Sequence, residues 1–418
     1  MNTSIFSEEL WPTMVTIKFS IFLIFLQLCG GTSIQFPSGE RDIPVMTVPE
    51  LISYWGYPVE EHWVTTTDGY ILGVHRIPHG RNDPHPGAPR PIVYMQHCLT
   101  CSSAIWAFGP PEKSLGYILA DAGYDVWMGN SRGNSYSRNH TTLEPCSTER
   151  CHDFWQFGWD EGGLYDVTAG IDYALNYTAQ KDVYYVGHSM GCTQYLVMLS
   201  ALPEYNEKIR LGSLLAPPAY MSHAPNFIFQ IASLADDIQI LYHLFGFAEF
   251  LPHYDFITWF GHLVCSDDHP YIQTVCMNFG FAFLGFNPGQ LNGTMIPTYL
   301  DHIPEGTSTR PFVHYAQLYL NGKFEAYDYG ELGNWEHYGQ ASPMDYDLKK
   351  VTAPTAIFKA DADDLADLVD IDLLVNELPN VVFDHLVDIE GWTHADYIVA
   401  MDADVLVYKY VLDLIQNN

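Results

Sequence analysis

At 418 residues, 48% hydrophobic and 15% aromatic, the chain is long enough for one large α/β domain carrying an insertion, or for two domains. Its 50 acidic residues against 18 basic ones give a formal charge of −32, which leaves no basic stripe to neutralise phosphates and argues against a nucleic-acid partner. The same charge opposes adsorption to anionic membranes at neutral pH. Toward pH 5 carboxylates begin to protonate and that repulsion weakens.

The N-terminus carries one cation, Lys18, then an apolar run from Phe19 to Cys29, then small residues Gly30, Gly31, Thr32 and Ser33. This is the pattern of a secretory signal peptide over residues 1–33. The run is too short for a transmembrane span, and no later stretch is apolar enough to cross a bilayer. Glu8 and Glu9 are unusual ahead of such a run; a start at Met14 would leave Lys18 as an ordinary n-region. An uncleaved signal anchor is the competing reading. Sequons at Asn139, Asn176 and Asn292 mark surface glycosylation sites in a secreted chain. Seven of the eight cysteines follow the signal peptide, so at least one thiol is free or pairs between chains. Cys265/Cys276 and Cys146/Cys151 are spaced for local disulfides in an oxidising compartment. Cys98-x-x-Cys101 lacks the second ligand pair that a zinc site needs.

Val48 to Trp55 reads as a short helix, and Glu60 to Arg76 as a hairpin closed by Asp68-Gly69. A polar loop, His79 to Pro91, precedes a buried strand, Ile92 to Met95. A helix from Leu115 to Ala122 and a strand from Tyr124 to Met128 follow, then a helix from Tyr165 to Leu175. A strand from Val183 to Val186 meets a helical pattern from Thr193 to Leu199, and Leu211 to Leu215 is the next strand. The alternation predicts an α/β fold with a doubly wound, mostly parallel sheet. From Ala219 to about Tyr346 the alternation stops; Phe227 to Leu244 and Phe279 to Leu284 look helical. It resumes with a strand at Thr355 to Phe358, a helix at Ile371 to Leu378, a strand at Val381 to Leu386 and a helix at Ala395 to Ile415. The organisation expected is therefore a core over 34–218 and 347–418, with a helical cap and lid over 219–346 above the carboxyl edge of the sheet.

Between the Val183 strand and its helix lies Gly187-His188-Ser189-Met190-Gly191. In a strand–turn–helix context this G-x-S-x-G pattern is a nucleophile elbow. The serine needs an exposed Oγ at the tip of a sharp turn, and the glycines remove Cβ atoms that would block it. The helix N-terminus behind it aims N–H groups at a developing oxyanion. A Ser…Asp…His order along the chain then requires an acid after a late strand and a base after the last one. The Ile357-Phe358 strand leads into Asp361, Asp363 and Asp364, and the last strand leads to His394. The residues alone leave the choice among the aspartates open. In such a set the serine attacks an acyl carbon, the histidine shuttles the proton and the aspartate fixes the histidine tautomer.

The chain resembles the acid lipase family, that of lysosomal acid lipase and gastric lipase, over nearly its whole mature length. The matching stretches include Ile52-Ser53-Tyr54-Trp55-Gly56-Tyr57-Pro58, Asp68-Gly69-Tyr70-Ile71-Leu72 and Arg76-Ile77-Pro78-His79-Gly80. Others are Trp127-Met128-Gly129-Asn130-Ser131-Arg132-Gly133-Asn134, Tyr184 to Ser189, Gly285-Phe286-Asn287 and Leu365-Ala366-Asp367. The resemblance implies an α/β-hydrolase fold, and it singles out Asp363 as the acid and His394 as the base. It implies hydrolysis of neutral lipid esters, triacylglycerols or sterol esters, at a lipid–water interface and behind a mobile lid. It also implies oxyanion donors at the backbone N–H of Leu99 and Met190, and a cap disulfide between Cys265 and Cys276. A secreted or lysosomal location follows.

Two departures stand out. The family reads His-Gly-Leu where this chain reads His97-Cys98-Leu99, and Gln where this chain has Met190. The second is mild, because the donor is a backbone N–H. The first puts a side chain beside Leu99 where the family has none and predicts a working but handicapped enzyme, its thiol narrowing the pocket, so that Cys98→Gly would raise turnover or leave it unchanged; the pairing of Cys98 and Cys101 stays open. Competing functions are a small-ester or thioester hydrolase and a catalytically weak lipid-binding or storage protein on the same scaffold. No P-loop, Rossmann fingerprint or zinc ligand set is present, so no cofactor is expected.

Overall fold

The structure is a computed structural model that describes residues 45–145, 149–225, 249–250, 285 and 287–418. The expected signal peptide, both expected cap helices and the cysteines Cys146, Cys265 and Cys276 lie outside the described residues.

Among the described residues eleven strands run in chain order: β1 (Glu60–Thr65), β2 (Tyr70–Ile77), β3 (Ile92–Gln96), β4 (Asp125–Gly129), β5 (Asn139–His140), β6 (Val183–His188), β7 (Ile209–Leu215), β8 (Glu249–Phe250), β9 (Thr307–Ser308), β10 (Thr355–Lys359) and β11 (Val381–Leu386). The main sheet has the order β1-β2-β4-β3-β6-β7-β10-β11, with β5 on the side of β2. The β1, β2 and β4 pairings are antiparallel; from β4 through β3, β6, β7 and β10 to β11 the strands are parallel. Composition explains the difference. Every residue of β3, β4 and β6 is buried, as expected of short apolar strands covered on both faces. β1 alternates, with His62 and Val64 turned inward and their neighbours outward, and it accordingly forms the outer arm of a hairpin.

Helices cover the sheet. Leu115–Asp121 and Thr168–Thr178 join successive parallel strands, and Met190–Ala201 lies behind β6 with all but its last residue buried. The sequence reading starts the second of these at Tyr165. The chain is already helical from Trp159, through a π-helical turn at Gly162–Val167. The reason is close packing: a Cβ on Gly163 would lie 2.7 Å from the Gln194 carbonyl oxygen, so the paired glycines let the two helices touch. The expected long helix from Ala395 to Ile415 is interrupted. It forms Asp396–Val399, then a helical stretch from Asp404 that continues through Lys409–Gln416. Ala400 takes up an extended conformation between them, because it bridges Leu291 while the Met401 N–H donates to the Gln290 carbonyl at 2.8 Å.

Of the segment expected to form a cap, the described part includes helices Ile296–His302, Arg310–Asn321 and Gly330–Tyr338 and a two-residue antiparallel ladder of β8 with β9, too short to leave a pattern in the sequence. The Arg310 helix reaches the core: the hydroxyls of Tyr315 and Thr193 lie 2.9 Å apart. β3 is flanked by β4 on one side and β6 on the other, so the strand order reverses there. The carboxyl ends of β3 and β6 border the crevice in which such sheets bind ligands.

Candidate active site

Ser189 caps the helix Met190–Ala201 at the end of β6. Its backbone has φ 53° and ψ −118°, a conformation that costs a non-glycine residue about 1–3 kcal/mol and persists only where the surroundings impose it. They do. The Ser189 N–H donates to the Leu215 carbonyl at 2.9 Å, and its own carbonyl accepts from Cys192 and Thr193. The two glycines of the motif have distinct reasons. A Cβ on Gly187 would lie 2.9 Å from the Cys192 nitrogen, inside the elbow itself. A Cβ on Gly191 would lie 2.4 Å from the Gln96 carbonyl oxygen, so this glycine presses the elbow against the segment that leaves β3.

The structure brings the three distant residues together. Ser189 Oγ lies 2.7 Å from His394 Nε2, and His394 Nδ1 lies 2.8 and 3.0 Å from the two carboxylate oxygens of Asp363. Exposure falls along the chain from Ser189 (8%) to Asp363 (4%) and His394 (1%). Asp363 follows β10, where its Oδ1 also accepts the N–H groups of Leu365 (2.9 Å) and Ala366 (2.8 Å). Asp361 and Asp364 are exposed and touch neither partner. With Asp363 accepting at Nδ1–H, the His394 Nε2 lone pair faces the serine hydroxyl. That is the tautomer for removing the Ser189 proton.

Four residues that hold the proposed base, Asp396, Asn287, Gly285 and His188, were given no role by sequence reasoning. Asp396 Oδ2 accepts from the Thr393 N–H at 2.7 Å and the Thr393 hydroxyl at 3.0 Å, and Asn287 donates to the same oxygen at 3.1 Å. Burial raises the Asp396 pKa above the usual carboxylate range. Gly285, at φ 88°, leaves room for Thr393: a Cβ would come within 2.5 Å of it. The Gly285-Phe286-Asn287 stretch was noticed only as a match, without a role. The fourth residue is His188, whose Nε2 lies 3.0 Å from the His394 carbonyl.

The segment after β3 is tightly tied. His97 Nε2 accepts the Ser131 N–H at 2.9 Å, so Nδ1 carries the proton and donates to the Cys98 carbonyl at 2.7 Å. Burial lowers the His97 pKa to about 4 and keeps the ring neutral. Met190 N–H is the first of its helix and has no intrahelical acceptor. The expectation of a Cys98 thiol narrowing the pocket is corrected: Cys98 and Cys101 form a disulfide across three residues, with both side chains buried. Nor does Cys98 carry the positive φ for which glycine would be favoured. That conformation falls on Thr100, at φ 55°. The spacing of three residues is the signal in the sequence for this pairing. Cys192 carries a free thiol, and it is buried.

Asn139 and Asn176 are exposed, whereas Asn292 is half-buried and accepts from the Thr294 N–H and hydroxyl at 3.1 and 3.0 Å. Among the described residues no cluster of His, Cys, Asp or Glu is arranged to hold a metal ion, and no helix is long and apolar enough to cross a membrane.

Comparison with known proteins points to one family. A partial α/β-hydrolase lipase region matches residues 48–109, and the α/β hydrolase fold matches residues 91–258. Human lysosomal acid lipase/cholesteryl ester hydrolase is 40% identical over 373 residues, covering 89% of this chain and 91% of that one. Rat gastric triacylglycerol lipase is 40% identical over 374 residues, covering 89% and 92%. Human lipase member K is 39% identical, covering 89% and 91%. Among solved structures, a candidate lipase from Sulfolobus solfataricus superposes with a TM-score of 0.55 at 13% identity, over 86% of this chain and 99% of that one. At that identity the likeness bears on the fold alone.

Proposed function

The chain belongs to the acid lipase family of α/β hydrolases, and from that premise we propose that it hydrolyses neutral lipid carboxylic esters, triacylglycerols or sterol esters, through an acyl-enzyme on Ser189. The observation that carries this reading is the continuous hydrogen-bonded chain Ser189 Oγ–His394–Asp363 beside the elbow. His394 Nε2 takes the Ser189 proton as Oγ attacks the ester carbon. The Asp363 carboxylate stabilises the imidazolium, which then protonates the departing alcohol. Water repeats the sequence to release the fatty acid and restore Ser189. The Leu99 and Met190 N–H groups are assigned to the oxyanion, where a donor matters because charge develops there only in the transition state.

We place the protein in the secretory pathway, secreted or lysosomal. The N-terminal pattern, the exposed sequons at Asn139 and Asn176 and the Cys98–Cys101 disulfide support that placement. The substrate is met at a lipid–water interface, and the excess of 32 negative charges favours a neutral lipid surface over an anionic one. Turnover of an emulsified long-chain ester, with and without a serine-directed phosphonate, tests the reading. Inhibitor-sensitive release of long-chain acid is expected. Activity confined to short soluble esters would point to a small-ester hydrolase, and lipid binding without turnover to a carrier.

A further inference from the structure

We propose that the Cys98–Cys101 disulfide is a positioning device for the Leu99 N–H, locking the oxyanion loop in its working conformation so that turnover depends on the oxidised state of this pair. The proposal rests on the functional reading above and deepens it.

Leu99 lies inside the small ring that the disulfide closes. Its N–H belongs to the Cys98–Leu99 peptide, and in a planar trans peptide the N–H points opposite to the C=O. Whatever fixes the Cys98 carbonyl therefore aims the Leu99 donor. That carbonyl is held twice, by His97 Nδ1–H at 2.7 Å and by the Cys101 N–H at 3.3 Å. The second hold comes from the far side of the ring. Between the two, Thr100 stands at φ 55°, which a residue with a Cβ adopts at a cost. Its carbonyl accepts the Glu305 N–H from the cap at 2.8 Å. Four non-glycine residues are thus folded into a tight turn in which one is left-handed. The covalent bond from Cys98 to Cys101 keeps the turn closed and with it the Cys101-to-Cys98 hydrogen bond.

The Gln96 carbonyl already abuts Gly191 at the elbow, so a loosened ring has little freedom to shift without moving Leu99 relative to Ser189. Misplacing one oxyanion donor weakens a contact made only in the transition state, which lowers kcat and leaves KM nearly unchanged. Reduction by a small dithiol balances as a two-electron exchange. The reagent ends as its own cyclic disulfide, and Cys98 and Cys101 each gain a hydrogen as thiols.

The test uses the full secreted protein. Steady-state ester turnover is measured for the oxidised enzyme, for the enzyme treated with dithiothreitol, and for the Cys98→Ser/Cys101→Ser variant, each with its thermal midpoint. Peptide mapping after alkylation reports which cysteines are open. The expected result is a fall in kcat of about tenfold or more on reduction, with KM within about twofold and recovery on reoxidation. The serine variant should start at the lowered kcat and lose less than about twofold further in dithiothreitol, which separates this pair from any other disulfide. Two free thiols at Cys98 and Cys101 in the native protein would overturn the proposal. So would an undiminished kcat with both alkylated, or a serine variant as sensitive to dithiothreitol as the wild type. If the serine variant does not fold, the reduced and alkylated wild type decides the matter on kcat against KM. An oxidised wild type that hydrolyses no ester removes the functional reading itself, whereas an active one indifferent to the disulfide removes only this proposal.

Discussion

His188 Nε2–H donates to the backbone carbonyl of His394 across 3.0 Å, so the residue just before the nucleophile holds the loop that carries the proposed base. His188 is buried, and burial pushes its pKa well below the ordinary imidazole value, so the ring is neutral and its one proton sits on Nε2. Its Nδ1 has no partner among the described residues. A neutral donor explains the arrangement: it fixes a carbonyl without placing a cation beside an imidazole that must become one. His188→Leu removes the donor and should lower kcat by about 10²-fold with little change in KM, the scale expected when a catalytic group drifts by an ångström. His188→Gln, which can still donate, should recover most of the loss. If both variants lose activity equally, the ring's bulk rather than its proton is what His394 needs.

The aspartate assignment makes a sharper contrast. Asp363 is buried and accepts from His394 Nδ1 and two backbone N–H groups, whereas Asp361 two residues earlier is exposed. Asp363→Asn keeps the shape but offers His394 the wrong tautomer, and kcat should drop by about 10⁴-fold. Asp361→Asn should stay within about twofold. Ser189→Ala and His394→Ala should each cost on the order of 10⁴-fold or more, and the double variant no more than either alone. Single-turnover rates on a chromogenic ester give all five numbers. An Asp361→Asn loss larger than that of Asp363→Asn would reverse the assignment.

Much of this was legible in the chain because the chemistry demands particular residues at particular punctuation points. Ser189 sits in a motif whose glycines have steric reasons, and His394 follows the last apolar strand; order along the chain then links them. Strands such as Val183–His188 announce themselves by unbroken apolar character. What escaped was held by side chains whose partners are far away in sequence. Asp396 bonds Thr393 nearby, but its link to Asn287 spans 109 residues and has no periodicity to betray it. The break at Ala400 depends on Gln290 and Leu291, so the apolar pattern from Ala395 to Ile415 reads as one helix. The pairing of Cys98 stays open in the sequence for a related reason: a spacing of three to Cys101 does not by itself separate a tight disulfide from two thiols.

Gly191 offers a test of how closely the elbow and the proposed oxyanion loop are fitted. The nearest atom to an added Cβ is a backbone oxygen, that of Gln96 at 2.4 Å, with the His97 carbonyl at 3.1 Å. Neither can swing aside as a flexible side chain would. Gly191→Ala must therefore push the helix start and the Gln96–Leu99 segment apart. Overpacking of this kind costs about 1–3 kcal/mol of stability. The loss in kcat should be greater than that destabilisation alone explains at a temperature where the variant is fully folded. Thermal midpoints together with phosphonate labelling rates separate the two effects; a variant that is less stable yet labels at the wild-type rate would show that the two loops move independently.

The last prediction concerns Asp160, a buried carboxyl that the proposed chemistry does not use. Its Oδ1 accepts from the Tyr346 hydroxyl at 2.6 Å and its Oδ2 from the Tyr327 N–H at 3.0 Å, so it ties the core to the far end of the cap segment. His314 stacks on Trp159 with its Nδ1 3.6 Å from Asp160 Oδ2. Burial keeps the His314 pKa near 3, and Nε2 faces the Glu325 carbonyl, so His314 is neutral and Nδ1 is a lone pair rather than a countercharge. Burial first, and the neighbouring Glu161 carboxylate second, push Asp160 up to about 8. In the unfolded chain the same carboxyl titrates near its ordinary value of about 3.9. Between these limits the folded state holds a proton that the unfolded state has released. Stability from this group is therefore complete below about pH 4 and declines as pH rises toward about 8, after which it levels off. An acidic compartment is where the fold gains most from it. Asp160→Asn presents an uncharged group of the same shape at every pH, and its amide can face His314 Nδ1. The wild-type thermal midpoint should fall between pH 4 and pH 8 through this group, and the Asn variant should show a visibly shallower fall over the same range. Parallel curves for the two proteins would mean that Asp160 is ionised in the folded state throughout.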